Sequence, residues 1–594
     1  MNKGLNLILI SACALSMTAC GTTGAGEGAA SNTASASIER SESAASEASA
    51  EASEETSASA ENIESSTGNN LDFYRNSNGG PVYLNSSKYY YENSDDGKSK
   101  LLFEGKSESL LIIDEDKEKY PKLSDYLTRL HDKEIADMDK ISEEFTEQAK
   151  IDYKDDLLIG NYSEDRSCEI SRADSNILSF VISYSNYTNG AHGTYGIYPY
   201  NVNVESGEDI ALNDVINIDN DKFKEILKSK LEETAKADGL SSEEAFFDLD
   251  ESLSHYEYEV DESRQDPDDT ENYKVEYTWY LDKQGLHVYF EIYSIAAYAY
   301  GDSNVLIGYD EMPEIFNPEY IPKSENIGSI QAYNGFYDTK IDIDNDGKDE
   351  NLTIDYEFAN TGDEYDYIKS LTLKVDDKSA TFNDIYLDIS NAYTKYYLVK
   401  TADNRSYIYI SSPEANDYYN LYVFDINNGD VKTVTEEDGY PYVFSLAYVQ
   451  NSNSDESGEI CLIDPENIYL GERFDLFGTF TGIGRYHVGP DGLPELNADH
   501  YELSWTSNET VSSKEDMTLD IVDEDGNILS EGETIKSGET FVPQIVRIIE
   551  DKNVLDAKIS DGRIVRLNYS STEYPIEING KSIDDLFDGL MYAG

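Results

Sequence analysis

Residues 21–70 are the part of this chain that most constrains its folding. They consist almost entirely of Ser, Ala, Glu, Thr, Gly and Asn, include no aromatic residue, and contain only two large aliphatic side chains, Ile38 and Ile63. A segment of this composition cannot bury enough apolar surface to offset the entropy lost on ordering. The sequence therefore predicts a disordered stalk over residues 20–70, with a root-mean-square span of roughly 35–45 Å.

The residues before this stalk have the pattern of a secretory signal. A single basic residue precedes a short apolar run, and small residues lead up to a cysteine. The end of the run, Met17-Thr18-Ala19-Cys20, resembles the lipobox of bacterial lipoproteins, in which the first position is usually Leu. The resemblance implies removal of residues 1–19, lipidation of Cys20 and an extracytoplasmic position on the outer face of the plasma membrane. An ordinary signal peptide that contains a cysteine is the alternative.

The charge of the chain restricts its partners. The formal net charge is −74, from 119 acidic and 45 basic residues. Nucleic acid is excluded as a partner because its phosphates repel such a surface. Anionic lipid is equally unsuited, so we expect the lipid on Cys20 to be the membrane anchor. Cations, basic proteins and polyamines are the partners that this charge favours, and an acidity that serves only solubility is the alternative.

More than 500 residues follow the stalk, which is too many for one hydrophobic core. Pro121 opens a helical pattern with apolar residues three to five apart, and strand-like runs lie on both sides of it. From about residue 326 the chain changes to short Tyr-rich strands between polar turns, typical of a sandwich or part of a propeller. We predict an α+β domain over 71–325, a β-rich domain over 326–500 and a small β domain over 501–594.

Only two cysteines remain after Cys20, namely Cys168 and Cys461, nearly 300 residues apart. The sequence does not decide whether they pair, since that depends on whether folding brings them together. We favour two separate, buried, reduced thiols. An exported chain without local cysteine pairs is typical of a Gram-positive or anaerobic setting.

Three motifs within residues 80–320 carry a family resemblance. They are GAHG at 190–193, NVESGEDIAL at 203–212 and YAYG at 298–301. Together they resemble the extracellular domain of RsiV-type anti-sigma factors, which sense lysozyme. The same type of domain also occurs beside a catalytic domain in some peptidoglycan deacetylases. The resemblance implies helices against an antiparallel sheet and a binding role outside the membrane. It makes a cell-wall component or a basic protein such as lysozyme the expected ligand.

His192, with Tyr195 nearby, is the candidate ligand contact in these motifs. The other histidines are scattered, without the spacing of metal ligands. A histidine in a glycine-rich turn also serves to hydrogen-bond the loop, and that alternative stays open.

An acidic loop gives the best signal for a metal. Asp342, Asp344, Asp346 and Glu350 supply carboxylates, and Lys348 supplies a backbone carbonyl. Hard oxygen ligands at alternate positions around a glycine suit calcium. Thr353 stands where an EF-hand has its bidentate glutamate, so we predict a calcium loop of another type, with an acidic turn as the alternative.

No phosphate-binding loop, nucleophile elbow or deacetylase metal motif is visible in the sequence. We therefore predict a lipid-anchored, non-enzymatic binding protein of a Gram-positive cell surface. A wall-modifying hydrolase or deacetylase accessory protein is one alternative, and a structural surface spacer is another.

Overall fold

The computed structural model describes residues 73–592, except for 238, 261–272, 323–327, 334–338, 342, 344–349, 360–366, 388–393, 414–418, 428–429, 436–443, 447, 451–455, 507–510, 550–551 and 573. The predicted signal, Cys20 and the whole of the predicted stalk lie outside these residues. Residues 66–594 form one compact unit. The fold is mixed α+β at its beginning and mostly β afterwards, which confirms the predicted fold class.

The α+β part contains ten strands, six α-helices and two short 3-10 helices among the described residues. The strands are β1 Tyr83–Asn93, β2 Leu101–Ile112, β3 Tyr162–Ala173, β4 Ile177–Tyr187, β5 Thr194–Asn203, β6 Tyr256–Glu257, β7 Val275–Glu276, β8 Thr278–Leu281, β9 Gly285–Phe290 and β10 Ser303–Gly308. The α-helices are α1 Asp114–Lys117, α2 Pro121–Lys154, α3 Leu212–Val215, α4 Asn220–Ala237, α5 Ser242–Ala245 and α6 Leu249–Ser254, and the 3-10 helices are Tyr298–Tyr300 and Pro313–Ile315.

The remaining described chain is built from strands and one short helix. The first group is β11 Ser329–Tyr333, β12 Thr339–Ile341, β13 Glu350–Ala359, β14 Tyr367–Val375, β15 Lys378–Leu387, β16 Lys395–Lys400, β17 Ser406–Pro413, β18 Tyr419–Asp425, β19 Lys432–Thr433, β20 Phe444–Leu446, β21 Tyr448–Gln450 and β22 Glu456–Ile460. The second is β23 Ile468–Phe474, β24 Phe480–Val488, β25 Pro494–Leu496, β26 His500–Thr506, β27 Val511–Ser513, β28 Met517–Val522, β29 Ile528–Ile535, β30 Thr540–Ile549, β31 Lys552–Ile559, β32 Ile564–Leu567, β33 Tyr569–Ser571, β34 Glu577–Ile578, β35 Lys581–Ser582, α7 Ile583–Leu586 and β36 Phe587–Asp588.

A seven-stranded sheet organises the first part, in the order β21-β22-β1-β2-β3-β4-β5. Strands β2 and β3 are parallel, with Phe103 opposite Tyr162, and α2 makes the crossover between them. Pro121 stands in the first turn of α2, where its missing N–H costs no helical hydrogen bond. Leu123, Leu127 and Leu130 are buried on the side of α2 that packs on the sheet.

Arg166 on β3 makes a buried electrostatic link between α2 and the sheet. Its guanidinium contacts Glu134 of α2 at 2.7 Å and Glu164 of β3 at 2.9 Å. These carboxylates raise the pKa of Arg166 above its usual value, although burial acts in the opposite direction. Glu134, the charged residue on the buried side of α2, is therefore paired.

The second half of the α+β part has its own core. Helix α4 buries Phe223, Leu227 and Leu231 in the same cluster as residues of the three-stranded sheet β10-β9-β8, including Trp279 and Val288. Strands β8 and β9 form a hairpin, with Leu281 opposite Leu286.

The β-rich part consists of stacked sheets. The four-stranded sheet β12-β13-β14-β15 and the five-stranded sheet β11-β16-β17-β18-β19 share one core, to which Leu373 and Ile408 belong. The other side of the five-stranded sheet contributes Tyr409 and Val423 to a second core, with strands of a twelve-stranded sheet. That sheet runs in the order β20-β23-β24-β26-β30-β31-β32-β28-β29, with β25, β27 and β36 attached.

Two strands cross the boundary predicted at residue 325. Strand β22 pairs with β1, with Leu84 opposite Ile460, and β21 pairs with β22. The first sheet is therefore completed by a segment from far along the chain.

In the part of the chain that the structure describes, no helix combines the length and apolar character needed to cross a bilayer.

Candidate functional site

The predicted lipidation and calcium sites fall largely outside the described residues. This is true of Cys20, Asp342, Asp344, Asp346 and Lys348. Glu350 is described at the start of β13, where its carboxylate accepts a hydrogen bond of 2.8 Å from the backbone N–H of Ile343. Among the described residues no group of three acidic, histidine or cysteine side chains is arranged for a metal. Calcium binding by the loop stays a prediction.

The GAHG motif lies in the loop between β4 and β5, where the structure fastens it at several points. Asn189, with a φ of +61°, donates to Asp152 of α2 at 3.0 Å, and its side-chain oxygen accepts from Ile159 at 2.7 Å. The Tyr187 hydroxyl donates to the Gly190 carbonyl at 3.1 Å. A Cβ on Gly193 would lie 2.4 Å from the backbone oxygen of Asn186, so only glycine fits there without movement. The loop is held in one shape by the residues around it.

The YAYG motif packs directly on this loop, more than 100 residues away in sequence. Tyr298 stacks on His192 with ring centroids 4.0 Å apart, and its hydroxyl donates to the Gly193 carbonyl at 3.2 Å. Gly301 is a neighbour of Tyr195, since an added Cβ would be in ordinary contact with the tyrosine oxygen at 3.5 Å. The structure thus brings together the two predicted site residues and the last of the three family motifs.

We call His192, Tyr195, Tyr293 and Tyr298 the aromatic patch. His192 is exposed, and Tyr293 is 56% exposed with its ring 5.5 Å from that of Tyr298. Tyr293 has a φ of +67°, a strained conformation for a bulky residue. Asp302 is exposed beside the patch, and together with burial its charge raises the pKa of Tyr195. Aromatic faces next to a carboxylate suit a cationic or sugar ligand.

His192 also hydrogen-bonds its own loop, since its Nδ1 lies 2.9 Å from the Gly193 carbonyl. The structure therefore shows the loop contact, while ligand contact by the exposed His192 stays a prediction.

A second candidate site is a cavity that the sequence did not predict. It has a volume of about 110 Å³ and lies between the seven-stranded sheet and strands β11 and β16 of the five-stranded sheet. Its charged lining residues are Lys106 and Glu108 on β2, Glu169 on β3, Lys395 on β16 and Glu459 on β22. These four strands lie far apart in sequence, so no local spacing signals the site.

Glu108 is the centre of this charged cluster. It forms an ion pair with Lys106, its carboxylate lies 3.8 Å from Lys395, and it accepts hydrogen bonds of 3.0 Å from Asn85 Nδ2 and from the Cys168 backbone. Burial acts to raise its pKa, but the two lysines prevail and lower it to about 2. Glu108 is therefore an anion at any physiological pH.

The two cysteines line the same cavity, although they are nearly 300 residues apart in sequence. Both are free thiols; Cys168 is buried and Cys461 is partly buried. Burial raises the pKa of each, and nearby acidic groups add to the effect. Neither is therefore an activated nucleophile.

Residues 213–310 match the family model DUF3298, which is described as a protein of unknown function. The chain therefore contains a DUF3298 domain, which includes Tyr293 and Tyr298 of the aromatic patch and ends before the β-rich part. His192 and Tyr195 lie shortly before the matched residues.

Two solved structures resemble the chain. One is a DUF3298 family member from Bacteroides fragilis NCTC 9343, with 16% identity and a TM-score of 0.30 over 41% of this chain and 96% of that chain. The other is a DUF3298 family protein from Pseudomonas aeruginosa PAO1, with 14% identity and a TM-score of 0.29 over 41% of this chain and 99% of that chain. The comparison with curated proteins gave no match.

Proposed function

We propose that this chain is a lipid-anchored, extracytoplasmic binding protein of a Gram-positive cell surface, with an RsiV-like domain around its DUF3298 domain. Its ligand would be a basic protein such as lysozyme, or a cell-wall component, and it would bind without catalysis. The observation that supports this most is the aromatic patch. Two motifs that suggested the family by sequence pack on each other through His192 and Tyr298.

The charge of the protein favours the basic protein over the glycan. With a net charge of −74, long-range attraction accelerates encounter with a cationic partner. That attraction weakens as the Debye length falls from about 30 Å at 0.01 M salt to about 8 Å at 0.15 M. A neutral glycan lacks this dependence, so salt separates the two ligands.

The test titrates residues 66–594 with hen lysozyme at both salt concentrations. We expect binding at low salt, with association slowing as salt rises. His192→Ala and Tyr293→Ala should weaken it, because they remove aromatic faces of the patch. Leu529→Ala, which changes another exposed apolar side chain on β29, should leave it unchanged. Absence of lysozyme binding at low salt rejects the lysozyme version. If lysozyme binds the patch variants as tightly as the parent, the aromatic patch is not the binding surface.

The anchor is tested separately by labelling cells with a fatty-acid probe. Cys20→Ala should abolish labelling of the protein and release it or leave it unprocessed. Equal labelling of the variant and the parent would exclude Cys20 as the anchor.

A further inference from the structure

The cavity between the two sheets has more negative than positive charge. Three carboxylates, Glu108, Glu169 and Glu459, face two ammonium groups, Lys106 and Lys395. Glu108 contacts both lysines, and Lys395 also interacts electrostatically with Glu459, the foremost of the groups that raise its pKa. Within the described part of the chain, the carboxylates of Glu169 and Glu459 have no hydrogen bond and no ion pair. One negative charge of the cluster therefore lacks a counterpart.

Asn85 adds an unused acceptor to the same cavity. Its Nδ2 donates to the Glu108 carboxylate, which can only accept, and this fixes the orientation of the amide. Its Oδ1 is buried and has no hydrogen-bond partner among the described residues. A buried acceptor without a donor is costly and calls for a partner.

One part of the wall is apolar, while Ser167, Thr394 and three tyrosines place hydroxyl-bearing side chains elsewhere in the lining. Side chains without charge or hydrogen-bonding groups line one part of the cavity, namely Ile170, Ile330, Ala332, Leu462 and Ile463. The volume of about 110 Å³ holds several groups the size of a water molecule, which is more than a bare ion fills. The Lys395 side chain is 28% exposed, so the cavity reaches solvent on that side.

We propose that this cavity binds a small primary amine in its protonated form. An ammonium group has three N–H donors, which equals the number of unused acceptor groups: the Glu169 and Glu459 carboxylates and Asn85 Oδ1. Its single positive charge supplies the missing counterpart, and a short alkyl chain fits the apolar wall. The proposal does not depend on the aromatic patch or on lysozyme binding.

Below about pH 7, a proton on Glu169 takes the place of the ligand in the empty cavity. Burial and the Glu108 charge raise the pKa of Glu169 to about 7, and burial raises the pKa of Glu459. A bound ammonium favours the ionised carboxylates and so displaces this proton. Affinity should therefore rise with pH through about 7, while the amine itself, with a pKa near 10, stays charged.

The other titratable groups around the cavity do not change charge in that range. Glu108 stays ionised, and Lys395 stays protonated because Glu459 and Glu108 raise its pKa. Burial raises the pKa of four neutral lining or neighbouring groups, Cys168, Cys461, Tyr333 and Tyr397, so they remain neutral. Asp282, the next carboxylate beyond Tyr333, is paired with His287 at 2.9 Å, and its pKa is lowered.

The experiment is calorimetric titration of the full chain with propylamine at about pH 6 and pH 8. We expect binding that is tighter at pH 8. Heats measured in two buffers of different ionisation enthalpy should show proton release near pH 7. Glu169→Gln and Glu459→Gln should each weaken binding about tenfold or more, because each removes a charged hydrogen bond. Glu531→Gln, at an exposed position on β29, is the matched control and should bind as the parent does.

Two further probes define the ligand class. Tetramethylammonium has the charge without N–H donors, and 1-propanol has the alkyl chain without the charge; we expect neither to bind comparably. The unliganded glutamine variants should melt at pH 8 no lower than the parent, since each removes a partly buried carboxylate charge from a cavity with an excess of negative charge. Absence of propylamine binding, or binding that both glutamine variants leave intact, overturns the proposal. If tetramethylammonium binds as tightly as propylamine, the assignment of a primary amine as the ligand is wrong.

Discussion

At the residue scale, glycines in the GAHG motif have unequal structural roles. Gly193 lies against the Asn186 backbone, where an added Cβ would be 2.4 Å from the carbonyl oxygen. Gly190 has more space, since the nearest atom to an added Cβ is 3.7 Å away. Of these two glycines, only Gly193 is therefore sterically required, and its own carbonyl accepts the hydrogen bond from Tyr298.

Gly193→Ala should destabilise the protein by roughly 1–3 kcal/mol, because the backbone must move to relieve the contact. Gly190→Ala is the matched control and should change the free energy of unfolding by less than about 0.5 kcal/mol. Urea denaturation of both variants measures the difference. Equal stability of the two variants would contradict this account of the motif.

Glu502 on β26 gives stability a dependence on pH. It is almost fully buried, and burial with the charge of Glu115 raises its pKa from 4.5 to about 8. Between these values the folded state holds one more proton than the unfolded state. The stability that this proton contributes is therefore complete below pH 4.5 and is lost as the pH rises through about 8.

Glu502→Gln should remove this dependence, because glutamine does not titrate. Relative to the variant, the parent should lose up to about 1.4 kcal/mol of unfolding free energy per pH unit between about pH 5 and pH 8. Urea denaturation across that range gives both curves, and Glu531→Gln should follow the parent. Parallel curves for the parent and Glu502→Gln would show that the buried carboxyl does not gain a proton on folding.

At the scale of elements, Asp556 joins three strands of the twelve-stranded sheet. Its strand, β31, lies between β30 and β32, and its carboxylate accepts from Arg547 Nε at 2.7 Å and from Arg566 Nε at 2.7 Å. Asp556 is 1% exposed, and both arginines are buried. Two guanidinium groups therefore depend on one carboxylate.

Asp556→Asn should cost about 3–5 kcal/mol, since it leaves buried positive charge without compensation. Asp561→Asn breaks the exposed pair with Arg563 in the next turn and should cost no more than about 1 kcal/mol. The two free energies come from the same urea series. A small effect at Asp556 would mean that water or neighbouring groups compensate the arginines.

Local patterns predicted individual elements well. The apolar spacing after Pro121 predicted α2, because that pattern depends only on neighbours in the sequence. The aromatic patch was predicted only as separate motifs, since the contact of His192 with Tyr298 is a product of tertiary folding. The cavity was not predicted at all, because its glutamates and lysines come from four distant strands in a chain rich in acidic residues.

At the scale of the whole molecule, the seven-stranded sheet depends on residues 448–460. These residues supply β21 and β22, and β22 covers the edge of β1. Gly458 lies against Leu84 of β1, where an added Cβ would be 2.9 Å from a methyl carbon. A fragment that ends at residue 325 lacks this cover, and an uncovered strand edge is prone to pair with other chains.

We therefore expect the fragment 71–325 to unfold at a lower temperature than residues 66–594 and to self-associate, as measured by thermal unfolding and size-exclusion chromatography. Gly458→Val within residues 66–594 should weaken the same junction, because the larger side chain collides with Leu84. Ser457→Thr is the matched control at the neighbouring position: it keeps the hydroxyl that donates to the Ser87 carbonyl, and a β-branched residue in a strand should be tolerated. If the fragment is monomeric and as stable as the longer chain, the first sheet folds without β21 and β22, and the junction only joins two independent domains.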